Sequence, residues 1–316
     1  MILDLDSYPV LKANFLYKNK HLSTIFPALF RKQDITYTRK RINTTDNDFF
    51  NVDCILRNQK RAVVMLHGLE GSSQSQYMKG FARLFSTTGY DVHAINFRSC
   101  GGENNLKLTS YHSGFTDDLK AYLDIVSAKY ESIFLLGFSL GGNVLLKYLA
   151  DHKLVSAKVN AAAAVSVTVD LRGSAMELDN GFNRFYMQRF LGSLSKKMIT
   201  KSKLFPGELD VKGIHKIKNF REFDDAFTAP IHGFKDAEDY WQKCSSVYTL
   251  NTINIPTLLV NAKNDPFLSP GCFPFDDVVD HPFLHAIFSP HGGHVGFMMN
   301  HKNSWLEPVV HSFFED

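Results

Sequence analysis

Residues 133–148 read Ile133-Phe134-Leu135-Leu136-Gly137-Phe138-Ser139-Leu140-Gly141-Gly142-Asn143-Val144-Leu145-Leu146-Lys147-Tyr148. An unbroken apolar run leads into a serine with glycine two residues to either side, and a segment with helical spacing follows. That order predicts a strand, a tight turn and a helix. A serine on such a turn takes a strained backbone conformation, and a side chain at 137 or 141 would clash, so glycine is needed there. The turn also sets the hydroxyl at a helix N-terminus, whose dipole favours developing negative charge. The plainer reading is a glycine-rich turn that happens to hold a serine. The flanking strand and helix favour a nucleophile at Ser139 and, beside it, an oxyanion-binding N–H on Leu140.

Outward from this stretch the same rhythm repeats. Short continuous apolar runs occur at 62–66, 91–97, 161–169, 257–261 and 284–288, with helical spacing between several of them. Continuous rather than alternating runs suit strands covered on both faces, so the pattern predicts an α/β fold with a mostly parallel central sheet flanked by helices. Leu119, Tyr122, Leu123 and Val126 predict one helix over 117–130. Two further strands are expected at 35–41 and 49–56, before the regular part. Between Leu171 and Leu250 the strand rhythm stops, and helix-like segments appear at 184–194 and 236–243. Because strands resume after Pro256, the expectation is a single domain over 1–316, with an N-terminal arm at 1–31 and a helical cap insertion at about 171–250.

A serine hydroxyl needs a base, and the base needs an orienting acid. Asp265 follows the run 257–261, and His291-Gly292-Gly293-His294 follows 284–288. Both turns are expected on the edge of the sheet that carries Ser139. Spacing alone leaves rivals open: His291 for the base, and Asp170, after 161–169, for the acid. Asp276, Asp277 and Asp280 read as solvated charges. His67-Gly68-Leu69-Glu70-Gly71 ends the first long apolar run, so Leu69 is expected to supply the second oxyanion N–H. Cys100 reads as a buried, inert thiol with no basic neighbour but Arg98, and 109–114, with Tyr111 and His112, as a structural turn. Phe182, Phe185, Tyr186, Phe190 and Leu191 have spacings that can turn an apolar face toward the catalytic edge, although burial against the core accounts for most of them.

Composition excludes several classes. The 316 residues are 44% hydrophobic and 21% charged, and 35 basic residues nearly balance 32 acidic ones. No nucleic-acid or anionic-membrane partner is suggested by that balance. Four cysteines lie far apart without metal spacing, and there is no HExxH helix, so neither metal nor cofactor is expected. An acidic start without a signal-like apolar stretch, and no run near the roughly 18 residues of a membrane span, predict a cytoplasmic protein without stable membrane insertion.

Several stretches then carry a resemblance: His21-Leu22-Ser23-Thr24-Ile25-Phe26-Pro27, His67 to Gly71, Asn96-Phe97-Arg98 with Cys100-Gly101-Gly102, Tyr111 to Gly114, and the turn around Ser139. Arg221-Glu222-Phe223-Asp224-Asp225, Thr228 to Phe234 and His291 to Phe297 complete it. Nearly end to end the chain resembles the YheT-like α/β hydrolases, a family that includes bacterial YheT with embryogenesis-associated and ethanol-acyltransferase relatives. The resemblance implies the α/β-hydrolase fold, Asp265 as the acid and His294 as the base. It also implies a small-molecule substrate, a carboxylic ester of short or medium acyl chain. Asn264 departs from the pattern, where an acid beside Asp265 is expected. Three readings follow: a carboxylesterase, an acyltransferase using an alcohol in place of water, and a non-catalytic scaffold. The oligomeric state is not legible.

Overall fold

The computed structural model describes residues 11, 15–151 and 157–316. The expected arm is therefore described only from its later part, since 1–10 and 12–14 lie outside these residues. Eight strands form one sheet: β1 (Thr38–Asn43), β2 (Phe49–Ile55), β3 (Arg61–Leu66), β4 (Tyr90–Asn96), β5 (Ser132–Phe138), β6 (Val159–Val165), β7 (Thr257–Ala262) and β8 (Leu284–Ser289). Their order across the sheet is β1-β2-β4-β3-β5-β6-β7-β8. β1 and β2 are antiparallel, and every pairing from β4 to β8 is parallel.

The unbroken apolar runs have a direct cause. In β3, Ala62, Val64 and Leu66 enter one core and Val63 and Met65 the other. α3 (Asp117–Val126) and α4 (Leu140–Asp151) cover the first face; α2 (Gln76–Thr87) and the C-terminal helix Leu306–Glu315 cover the second. A strand buried on both sides has no polar face to alternate with.

Two strand boundaries differ by three or more residues from expectation, and the helix expected over 117–130 ends at Val126. The first strand begins at Thr38, three residues late, and its side chains are mostly exposed because it is the sheet edge. β6 stops at Val165 because Ser166 turns the chain at φ 51°, although Val167 and Val169 remain buried. Between β6 and β7 the chain is helical: α5 (Leu171–Leu178), α6 (Arg184–Leu204), α7 (Phe220–Phe223), a π-turn over Asp224–Thr228, α8 (Ala229–His232) and α9 (Ala237–Cys244). α6 runs ten residues past Leu194, through a polar stretch whose periodicity is weak. No helix among the described residues is long and apolar enough to cross a membrane.

Candidate active site

The turn from β5 into α4 holds Ser139 at φ 52°, its N–H donating to Val165 O at 2.9 Å. The glycine requirement is steric. A Cβ at Gly137 would sit 2.5 Å from Gly141 O, and one at Gly141 2.4 Å from His67 O. Gly68 is also close, since its Cβ would lie 3.1 Å from Ser139 Cβ.

Asp265 and His294 meet from the ends of β7 and β8. His294 Nδ1 lies 2.9 Å from Asp265 Oδ2, and the other carboxylate oxygen accepts the Phe267 N–H at 2.9 Å. A carboxylate only accepts, so Nδ1 carries the hydrogen and Nε2 is left as the acceptor. The Asp265 side chain is wholly buried, and the Phe267 ring packs on the imidazole at 4.1 Å. The histidine loop needs φ near +60° at Gly293 and Val295. Three side chains hold it: Asn264 Oδ1 accepts from Gly293 N–H, Thr24 Oγ1 from His294 N–H, and Ser166 Oγ from Val295 N–H, at 2.9–3.0 Å.

The rival residues do other things. Asp170 caps α5, accepting from Gly173 N–H and from Ser269 Oγ. His291 has a buried Nδ1 with no partner among the described residues, and it lines none of the cavities beside Ser139.

In the loop after β3, the N–H groups of Gly68, Glu70 and Gly71 are taken by Tyr77 Oη, Tyr111 Oη and Gly68 O. Leu69 N–H makes no such bond to a described residue. Leu140 N–H opens α4 and has no helical carbonyl one turn before it. Beneath the loop, His67 is fully buried, with Nδ1 donating to Gly68 O and Nε2 accepting from Phe97 N–H. Burial lowers its pKa to about 4.

Two cavities meet at Ser139. The inner one, about 140 Å³, has Leu69, Leu140, Leu171, Leu178, Phe190, Met198 and Phe227 in its wall. The outer cleft, about 610 Å³, is shared by Ser139, His294, Leu69, Phe185, Tyr186 and Leu29. Part of the inner wall is polar: Asp224, Thr228, His112 and His232. Asp224 accepts from Trp241 Nε1 and Thr228 Oγ1, and burial, with the Asp225 charge beside it, still raises its pKa to about 7. Burial drives His112 down to about 3, with repulsion from His232 added.

The sequence profile of the α/β hydrolase fold matches residues 61–272. YheT of Escherichia coli (strain K12), a candidate esterase by its name, is 34% identical over 306 residues, covering 93% of this chain and 89% of that one. The chain belongs to the YheT-like α/β hydrolases. Human phospholipase ABHD3 is 27% identical over 306 residues, 92% of this chain and 74% of its own. Among solved structures, the Pyrococcus furiosus esterase Pf2001 superposes with a TM-score of 0.61 at 17% identity, over 90% of this chain and 96% of that one.

Spacing along the chain does not reveal the contacts that hold the loop after β3. Glu70, at φ 56°, receives Tyr111 Oη at 2.8 Å, Lys197 Nζ at 2.6 Å and Ser193 Oγ. Thus α6 grips the loop from 127 residues away. The basic neighbour of Cys100 is Lys197, 3.2 Å from its sulfur, because Arg98 is turned to Asp118, Asp46 and Asp48. Residues 110–113 are cavity wall rather than only a turn. Of the five aromatic and aliphatic candidates, Phe190 lines the inner cavity, Phe185 and Tyr186 the outer cleft, Leu191 is buried within the 171–250 helices, and Phe182 is exposed. Asn264 also explains its departure: its amide donates to Lys18 O while accepting from Gly293, which a carboxylate cannot do.

Proposed function

We propose that the chain is a carboxylesterase in which Ser139 is the nucleophile, His294 the base and Asp265 its orienting acid. The reading rests on one observation: His294, held by Asp265, and the strained Ser139 turn border the same cleft. Ser139 Oγ bonds to the ester carbonyl carbon while His294 Nε2 takes its proton. The oxyanion is received by the N–H groups of Leu69 and Leu140. Collapse expels the alcohol with the proton from His294, and water repeats the sequence to free the acid. No feature of the cleft favours an alcohol in place of that water. The helices over 171–250 act as a cap, whose apolar inner wall suits an uncharged short-to-medium acyl chain. Four free, buried cysteines fit a reducing compartment, which we take to be the cytoplasm.

A fluorophosphonate should label Ser139. Ser139→Ala should abolish labelling and lower kcat by on the order of 10⁴-fold or more. Peptide mapping of the label to another serine rejects the assignment.

A further inference from the structure

Two segments bordering the outer cleft contain no acidic residue. Residues 15–32 carry Lys18, Lys20, Arg31 and Lys32; residues 184–204 carry Arg184, Arg189, Lys196, Lys197, Lys201 and Lys203. Four of these cations are used internally. Arg31 pairs with Glu307, Arg184 with Asp179 and Lys197 with Glu70, and Lys201 donates to Lys107 O. The other six are exposed, and none forms an ion pair with a described residue. A whole-chain charge of +3 conceals this concentration.

The same two elements expose large apolar side chains. α1 (Lys20–Phe30) presents Leu22, Leu29 and Phe30, the turn before α6 presents Phe182, and the first turn of α6 presents Phe185, each between 45% and 61% exposed. His21 joins the two groups, its ring 4.4 Å from Phe182 and its Nδ1 3.1 Å from Tyr186 Oη. Along α6, Phe185, Arg189, Lys196, Ile199 and Lys203 recur at helical spacing as an exposed stripe. Leu29 and Phe185 both line the cleft that Ser139 and His294 border.

Apolar side chains in water and cations without counter-charges are satisfied together by one kind of surface, an anionic bilayer. The rings and aliphatic chains enter the headgroup boundary while lysine and arginine reach the phosphates. A nucleic acid would answer the cations but leave Leu22 and Leu29 in water. We propose that the rim formed by α1 and α6 docks on an anionic lipid bilayer, so that the outer cleft opens onto the membrane surface. This replaces the expectation, drawn from overall charge, of no anionic-membrane partner. It goes beyond the esterase reading and does not depend on it.

The test is sedimentation of the full chain with phosphatidylcholine vesicles, with and without phosphatidylglycerol. The expected result is binding that requires phosphatidylglycerol and is lost in high salt. The charge variant Lys20→Glu/Lys196→Glu/Lys203→Glu and the apolar variant Leu22→Ser/Phe30→Ser/Phe182→Ser should each weaken it by about tenfold or more. Cooperative thermal unfolding and hydrolysis of a soluble short ester serve as controls for folding. Equal binding to both vesicle types, or wild-type binding by either folded variant, overturns the proposal. So does a chain that ignores vesicles but forms dimers that the apolar variant dissolves, which would make the rim a self-interface.

Discussion

Two carboxylates at the sheet edge show how neighbours divide labour between identical groups. Asp265 spends one oxygen on Phe267 N–H and offers the other to His294, whereas Asp170 spends both on Gly173 and Ser269. Asp265→Asn should therefore lower kcat by several decades while the protein stays folded, and Asp170→Asn should cost mainly stability, about 1 kcal/mol for a lost cap. Steady-state kinetics beside urea titrations separate the two, and a reversal would move the acid to β6. His67 supports a second prediction, of pH dependence. Its native contacts need a neutral ring, and burial holds its pKa at about 4, below the 6.5 of an unfolded histidine. As pH falls below 6.5 the unfolded chain takes up this proton first, so stability is lost between about pH 6.5 and 4. The limit for this group is on the order of 3 kcal/mol. His112 and His232 are depressed in the same way, so His67→Gln should reduce the slope of that part of the stability–pH curve without abolishing it, and an unchanged slope would show that His67 contributes nothing there.

The elements of the regular sheet were legible because their physics is local. β3 to β8 are apolar runs ended by turn residues, and each was placed within a few residues, as was α3. The Ser139 turn was legible for the same reason, since strand, glycines, serine and helix are contiguous. What could not be read were contacts made across long separations. Nothing near Glu70 announces that Lys197 and Ser193 of α6 will hold it. Nothing near His294 announces that a threonine 270 residues earlier will receive its N–H. In the sequence the α1 segment shows only as part of an N-terminal arm that carries a family-like stretch, without a role. Its position predicts one: Thr24 fixes the height of the histidine loop, so α1 is a positioning element. Thr24→Val keeps the shape but leaves the His294 N–H without an acceptor, a loss of about 1–3 kcal/mol. We expect kcat to fall by about tenfold or more with KM little changed, and Thr24→Ser to restore it. An unchanged kcat in the valine variant would mean that Asn264 and Ser166 hold the loop without help.

At the scale of the whole molecule, the sheet brings Ser139, Asp265 and His294 to one edge, and helices from 171–250 wall the cavity beside Ser139. The turns that follow β3 and β5 contribute Leu69 and Leu140, while Leu178, Phe190, Met198 and Phe227 close the inner cavity from the 171–250 side. An acyl chain entering this space leaves water for an apolar wall, so each methylene should raise kcat/KM by up to about 0.8 kcal/mol, roughly fourfold, until the space is full. Charge at the chain end should be penalised. The imidazoles of His112 and His232 are held neutral by burial, and Asp224, with its pKa near 7, becomes an anion in the same wall as pH rises. A dicarboxylate half-ester would therefore be cleaved far more slowly than the methyl-ended ester of equal length, with the gap widening above pH 7. Leu194 lines the cavity from α6 without belonging to the proposed triad or oxyanion pair. Leu194→Trp should move the optimum to shorter chains and leave the rate on an acetyl ester nearly as before. The measurement is kcat/KM over a series of p-nitrophenyl esters for both proteins at two pH values. A flat series, or an optimum that the tryptophan does not move, would place the acyl chain in the outer cleft, among Phe185, Tyr186 and Leu29, and leave the inner cavity to the alcohol.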